Sequence, residues 1–371
     1  MIGRVTDLLL PGARDLRGRP LRGVAVLLAW IGLWALAVLR RDRLLATPGA
    51  GRPDWWIALL GLVTALSIVW RAGRPRATGR DPAEPDGEWA AVRAAFARHR
   101  LATAGLTLVA LLALVAVLTP YLAPYDPAAQ GADLVATRFQ APSWAHLMGT
   151  DRFGRDVLSR VLYGGRVSLL VGTLAVVIAI TLGSLVGAVA GYARGWVDTV
   201  SMRTVDLLLS LPRLVLLITI IAFVDPSTTL IIVVLGLTGW MGTSRLVRGE
   251  VLSLREREFV QAARVLGFGR ARILFRHVLP NVATPIIVAA TLGIGNTILV
   301  EASLSFLGFG VPPPTPSWGD MVLRGVRDMH EAPWLVLFPG VAIVITVMSF
   351  NLVGDGLRDA LDPRASREAA P

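Results

Sequence analysis

The chain has 371 residues, 54% of them hydrophobic, no cysteine and a net charge of +11. Positive mean hydropathy over that length points to an integral membrane protein, and the missing cysteine excludes disulfide frameworks and thiolate metal sites. All 37 basic residues are arginine, so the chain cannot supply the lysine of a phosphate-cradling G-x-x-x-x-G-K-[ST] loop or of a Schiff base. The arginines cluster between apolar runs, as topology determinants do, and form no soluble basic domain that would recruit nucleic acid.

A bilayer core needs about 20 mostly apolar residues per helix. Eight runs meet or approach that length: 22–39, 55–70, 101–119, 167–190, 205–224, 229–244, 283–304 and 333–352. Arg14, Arg17, Arg19 and Arg22 lead into the first run, but "RRDR" follows it where a signal peptide would carry a small-residue cleavage site. It therefore reads as an uncleaved anchor. Segment 71–100 holds seven arginines and segment 245–276 holds eight. With eight spans and the amino terminus inside, both face the cytoplasm, as do 191–203 and the carboxyl-terminal tail. Loop 40–54, with Arg40, Arg41, Arg43 and Arg52, runs against that count. The expected product is an all-α integral membrane protein of the inner or plasma membrane, multi-pass, bathed in membrane lipid, with both termini cytoplasmic.

Ahead of the third run, "EWAAVRAAFARHR" places Trp89, Val92 and Phe96 on one face and reads as an interfacial elbow. Residues 120–166 form a long outer connection. Within it Val157, Leu158, Val161 and Leu162 recur at helical spacing opposite Arg155 and Arg160, which predicts a short amphipathic helix on the membrane surface. Thr150 and Asp151 are its N-cap candidates. Gly183, Gly187 and Gly191, four residues apart, suit close helix packing, and Pro212 is expected to kink the fifth run. Asp206 and Glu301 lie in or near spans, where a carboxylate is costly. Both sit near span ends, so interfacial structural roles are favoured, Asp206 close to Arg203 and Arg213. A place beside a pathway is the sharper alternative for Glu301. The loop "GFGVPPPTPSWGDM" must be extended, because proline fixes φ and removes donors. His99, His146, His277 and His330 fall in different loops without metal-ligand spacing, which leaves only a weak metal contact at His146 and His330, both expected outside, to consider. Ser303 and Ser305 lack a nucleophile elbow or a histidine base.

Residues 256–266, "EREFVQAARVL", read as a short amphipathic helix. Its expected stripe is Phe259, Ala262, Ala263 and Leu266, with Arg257, Gln261 and Arg264 facing away. Gly267 ends it in a left-handed conformation, and a second short helix, "RARILFRHVL", runs to Pro280. Two small helices on a glycine turn make a protrusion suited to a partner's groove, with arginines to match an acidic rim.

The stretch "QAARVLG…HVLPN" resembles the coupling-loop motif of ABC-importer permeases. Ala262, Ala263, Gly267, Leu279 and Pro280 match it, with Gln261 standing for its glutamate and His277 for its isoleucine. Three further stretches, "LMGTDRFGRDVLSRVLYGGRVSLLVG", "EASLSFLGFGVPPPTPSWGDM" and "NLVGDGLRDALDPR", resemble the dipeptide/oligopeptide/nickel permease family. They match the half of its heterodimer that carries a GTD-x-x-GRD outer loop, present as Gly149, Thr150, Asp151, Gly154, Arg155 and Asp156. The resemblance covers about residues 88–365. It implies a type I ABC-importer transmembrane domain of six helices, preceded by two additional transmembrane helices in an extension over 1–87. The elbow, first core helix and outer loop would fill 88–165, the core permease 166–365 with its coupling loop at 249–282, and the tail 366–371. The resemblance also implies partners: a homologous second permease, two cytoplasmic ATPase subunits entered by the coupling loop, and an extracytoplasmic solute-binding protein. ATP and Mg would be held by those ATPases; this chain would bind no cofactor and would not be an enzyme. Asp206, Pro212 and Glu301 are then candidates for pathway or gating roles. The implied cargo is di- or oligopeptides, with nickel or another small solute open. A self-contained secondary transporter is the runner-up, disfavoured because mid-span positions are nearly charge-free and no internal duplication is visible.

Overall fold

Chain inside a bilayer must satisfy its backbone internally, and it does so here as helices. The computed structural model describes residues 95–361 apart from residue 132. The runs 22–39 and 55–70, Trp89 and Val92 of the elbow, and the tail 366–371 lie outside the described residues. The helices are α1 (Arg100–Leu122), the single turn α2 (Leu134–Thr137), α3 (Val157–Ala193), α4 (Gly195–Leu209), α5 (Arg213–Ala222) and α6 (Thr228–Leu237). They continue with α7 (Trp240–Arg255), α8 (Glu258–Val265), α9 (Arg270–Ile273), α10 (Ala283–Phe306), α11 (Trp318–Arg327) and α12 (Trp334–Leu361). Among the described residues five segments have the length and apolarity of a span: α1, α3, α6 with α7, α9 through α10, and α12. The pair α4 and α5 makes a sixth if that bent pair counts as one span.

Three sequence expectations change in this part of the molecule. The surface helix expected around Val157–Leu162 is the first turns of α3 itself. At 37 residues and about 1.5 Å per residue, α3 is far longer than a bilayer core of about 30 Å, so its first turns stand outside the membrane. There they pack: Val157 and Val161 join a buried cluster with Met321, Ala332 and Leu335, and Arg160 is 3% exposed, not solvent-facing. The cap of α3 is Asp156, whose carboxylate accepts from the Ser159 amide, whereas Thr150 and Asp151 serve the preceding loop. Pro212 does more than kink its run. It caps α5 after a break at residues 210–212, and α4 and α5 meet at 82°. A proline removes one helical donor and collides with the preceding turn; the serine and leucine ahead of it complete the interruption.

Small residues set the packing. An added Cβ at Gly183 would come within 2.6 Å of the Trp240 carbonyl oxygen, and at Gly191 within 2.9 Å of the Arg248 carbonyl oxygen, with Gly187 closer still to that of Ser244. Backbone of α3 and α7 thus touches along about two turns, which any side chain would prevent. On its other flank α12 lies between α1 and α10, with Gly105 seated on Ser349 and Leu352, and Gly354 on Leu292.

The arginine-rich segments gather at one end of the bundle. The Arg255 guanidinium donates to the Tyr192 carbonyl (2.8 Å) beside the end of α3. His99 at the start of α1 lies 3.7 Å from Asp359 near the end of α12. At the opposite end, Thr119 near the end of α1 donates to the Leu162 carbonyl in the first turns of α3 (3.4 Å). The arginine-rich end is called inner below, and the other end outer.

Candidate coupling loop and outer-loop site

At the inner end, α8 begins with Glu258 and carries Arg264 in its last turn, the charge order that suits the helix dipole. It stops in a Schellman arrangement. Gly267 takes φ +77°, its amide donates to the Arg264 carbonyl (2.9 Å) and the Phe268 amide to the Ala263 carbonyl (3.1 Å). An added Cβ at Gly267 meets nothing within 4 Å, so backbone conformation alone asks for glycine there.

The predicted stripe of α8 divides. Val260 and Ala263 are the buried pair, packed with Ala188, Val247, Val251, Ile273, Leu274 and Val278. Phe259, Ala262, Val265 and Leu266 face outward, Val265 being 88% exposed. Gln261 is half-buried and accepts from Arg264 (3.4 Å). The result is an apolar knob held from below by Val260 and Ala263, with exposed Arg257, Arg270, Arg272 and Arg276 in the flanking segments. Val260 escaped the sequence reading, although its three-residue spacing to Ala263 marks it as the inward face.

Pro280 does not end the second small helix, contrary to expectation. After α9 the chain passes through a π turn (Leu274–Val278) and a 3-10 turn (Leu279–Val282), then runs into α10. Widening and then tightening the helix accommodates a proline whose missing donor falls in the first positions of the 3-10 turn. Leu279 packs on the inner cluster. His277 stacks on Phe268 at 5.8 Å between centroids, and the Arg272 guanidinium lies 4.5 Å from the same ring. The candidate coupling loop is therefore a braced extension of α10.

At the outer end, the GTD-x-x-GRD residues bind one another. Gly149 adopts φ +77°, and an added Cβ would lie 2.6 Å from the Gln140 carbonyl oxygen and 2.7 Å from Trp334 Nε1. The Thr150 hydroxyl donates to the Thr137 carbonyl (2.6 Å) and accepts from the Gln140 amide (2.8 Å). Asp151 accepts from the Phe153 amide (2.8 Å), the Arg155 amide (3.0 Å) and Arg155 Nε (2.7 Å). Gly154 turns the chain with φ +68°. Asp156 accepts from the Ser159 amide (2.8 Å) and hydroxyl (2.7 Å), and pairs with His146 Nδ1 at 2.9 Å. This gives His146 a structural partner. Among the described residues no group of three metal-ligating side chains assembles anywhere.

Arg160 donates to the Pro127 carbonyl (3.0 Å). Arg324 of α11 grips both oxygens of Asp320 at 2.8 Å, and that bond raises the guanidinium pKa further against the opposing effect of burial. Asp151, Arg155, Arg160 and Arg324 enclose a cavity of about 20 Å³, room for about one water and no larger solute. The outer motif is a self-satisfied knot.

Asp206 pairs with Arg245 of α7, not with Arg203 or Arg213, and remains half-exposed. Asp198, in the first turn of the same helix, makes a bidentate pair with Arg248 (2.5 and 2.7 Å). The two pairs tie α4 to α7. Glu301 does not reach an interface: it is completely buried. The Ser305 hydroxyl donates to it at 2.8 Å and the Ser168 hydroxyl at 3.2 Å. Ser317, which caps α11, lies 3.3 Å from Ser305. Three outer segments thus meet on one carboxylate through small hydroxyl side chains, of which the sequence had drawn attention only to Ser305.

Comparison with known proteins agrees with this geometry. The family model described as binding-protein-dependent transport system inner membrane component matches residues 157–367. A second, the N-terminal TM domain of oligopeptide transport permease C, matches residues 87–142. A protein of Brucella suis that carries the provisional name peptide permease protein is 44% identical over 297 residues, 79% of this chain and 97% of that protein. A dipeptide transport system permease protein of Alkalihalophilus pseudofirmus is 43% identical over 267 residues, 72% of this chain and 87% of its own. That of Haemophilus influenzae is 40% identical over 278 residues, covering 72% and 92%. The chain belongs to the family of binding-protein-dependent transport system inner membrane components.

Proposed function

We propose that this chain is one permease subunit of an ATP-driven importer of di- or oligopeptides. It forms half of the pathway with a homologous second permease. Two cytoplasmic ATPases hold ATP and Mg, and a binding protein outside the membrane delivers the solute. The subunit does no covalent chemistry. It converts closure of the ATPases into a rocking of its spans between inward and outward access. In this reading the inner end, both termini and the coupling loop 249–282 face the cytoplasm. The core occupies 166–365, after the elbow, first core helix and outer loop at 88–165; the extension 1–87 and the tail 366–371 lie outside it. The peptide cargo is supported by the names of the relatives.

The observation that carries the reading is the exposed apolar face of α8. Phe259, Ala262, Val265 and Leu266 lie exposed at the arginine-rich end, between two spans, where none of the other described residues buries them. Gln261, Ala262, Ala263, Gly267, His277, Leu279 and Pro280 shape and brace this knob. Apolar groups so placed belong in a partner's groove, and a rigid link through the π and 3-10 turns into α10 transmits a push. The absence of cysteine from the chain makes Val265→Cys a unique thiol. In membranes holding the whole transporter, this thiol is expected to cross-link to the ATPase subunit, and Val265→Asp to leave insertion intact while abolishing ATP-dependent uptake. Labelling of that thiol by an impermeant reagent only from the cell exterior would overturn the reading.

A further inference from the structure

Amide side chains at mid-membrane are costly against lipid and face protein or water. Asn296 of α10 and Asn351 of α12 are both exposed, and neither side chain makes a hydrogen bond with the described residues. An added Cβ at Gly295 would lie 3.3 Å from Asn351 Oδ1 and 3.4 Å from the Val347 carbonyl oxygen, so the two amides share one depth. By helical rise Asn296 lies roughly 15 Å along the axis from the Phe306 end and roughly 20 Å from Ala283. Ser303 is exposed two turns toward the outer end and Asp355 one turn from Asn351 toward the inner end. Leu299, Val344, Val347, Met348, Asn351 and Asp355 flank a groove of about 300 Å³ between the two helices.

The face on which these groups stand is settled by what the other faces touch. Ile298 meets Gly172 and Glu301 meets Ser168, both of α3. Gly295 turns to α12, while Leu304 and Val300 enter the cluster shared with α5 and α6. At 100° per residue the remaining sector of α10 holds Asn296, Leu299 and Ser303. On α12, Val344, Met348, Asn351 and Asp355 follow at spacings of four, three and four, in a stripe away from α1 and α3.

We propose that this α10–α12 face is a wall of the translocation pathway, and that its ligand is an amide-bearing solute of the peptide class. The inference deepens the transporter reading above and rests on it. An asparagine side chain donates and accepts together, which matches a peptide group in transit. Ser303, the two asparagines and Asp355 form a ladder that offers such contacts at successive depths, with apolar side chains between them. Uncharged rungs in the middle hold the solute weakly enough for it to leave, as conduction requires.

The test uses the complete transporter, its partners freed of reactive cysteines, in proteoliposomes with the binding protein. Asn296→Cys, Ser303→Cys and Asn351→Cys are compared with Leu108→Cys on the exposed apolar face of α1, using a small cationic methanethiosulfonate as the probe. Ladder thiols are expected to react at least tenfold faster than the control, to change rate between nucleotide-free and ATP-trapped states, and to be slowed by a transported dipeptide. Rates equal to the control in every state, as for a lipid-facing surface, overturn the proposal. Complete inertness of the ladder, as for a sealed joint to another subunit, does the same. The outcome separates from the reading beneath it: a wild-type complex that imports dipeptide while the ladder stays unreactive removes only the wall, and one that imports nothing removes the transporter reading itself.

Discussion

The inner knob and the outer knot are built from motifs of similar length, each turned on a glycine at positive φ, yet they handle their surfaces in opposite ways. In the outer loop Thr150, Asp151 and Asp156 are buried, and every polar group described for them bonds within the chain. On α8 only Val260 and Ala263 are inward, and the largest apolar side chains are left uncovered. One motif stabilises this subunit; the other keeps an apolar face that the described fold leaves uncovered, as the proposed docking requires. A recurring sequence pattern therefore says that a conformation is required, while burial says whether it serves the fold or an encounter.

Four substitutions, in three comparisons, sharpen that contrast, from the largest effect to the smallest. Asp156→Ala removes a fully buried carboxylate that caps α3 and pairs with His146. Losing a cap and stranding buried donors should cost roughly 3 kcal/mol, read as a lowered thermal midpoint of the purified complex and early proteolysis of the 120–156 loop. Gly149→Ala and Gly267→Ala form the next comparison. Both require the same φ of +77°, which costs an alanine about 1 kcal/mol. Only Gly149 adds a collision with backbone and with Trp334, bringing about 2 kcal/mol more by overpacking. The outer variant should therefore unfold well below the inner one in the same melting experiment. Equal midpoints would mean that the outer knot yields as easily as the free turn. Asp206→Ala, which breaks a half-exposed pair with Arg245, should shift stability by at most about 0.5 kcal/mol. A large loss of uptake with unchanged melting would point to a pathway or gating role for Asp206 beyond this pair.

Much of the molecule is legible in its sequence. The third, fourth, seventh and eighth apolar runs correspond to α1, α3, α10 and α12, because bilayer thickness makes a long apolar run readable from composition alone. Gly267 was expected to be left-handed and is, because a glycine just after a short amphipathic helix has one common use. The glycine series on α3 announced close packing, and α7 provides it. Boundaries fared worse where a span and its flank form one helix: nothing local marks where α3 leaves the membrane, and Pro280 is absorbed by turns that only the continuing α10 makes worthwhile.

The sequence alone determined the class of protein, its apolar segments, the end at which its arginines collect, and the glycines whose backbone angles admit little else. These follow from local chemistry: transfer of side chains into lipid, charge at an interface, and sterics at a single residue. Only the tertiary structure decided that Arg160 and Glu301 are buried, that Asp206 belongs to Arg245, that Ala263 faces in while Ala262 faces out, and that Asn296 and Asn351 lie at one depth. Each of these depends on which neighbour lies across a helix–helix contact, dozens of residues away in the chain, and no local pattern encodes the identity of that neighbour.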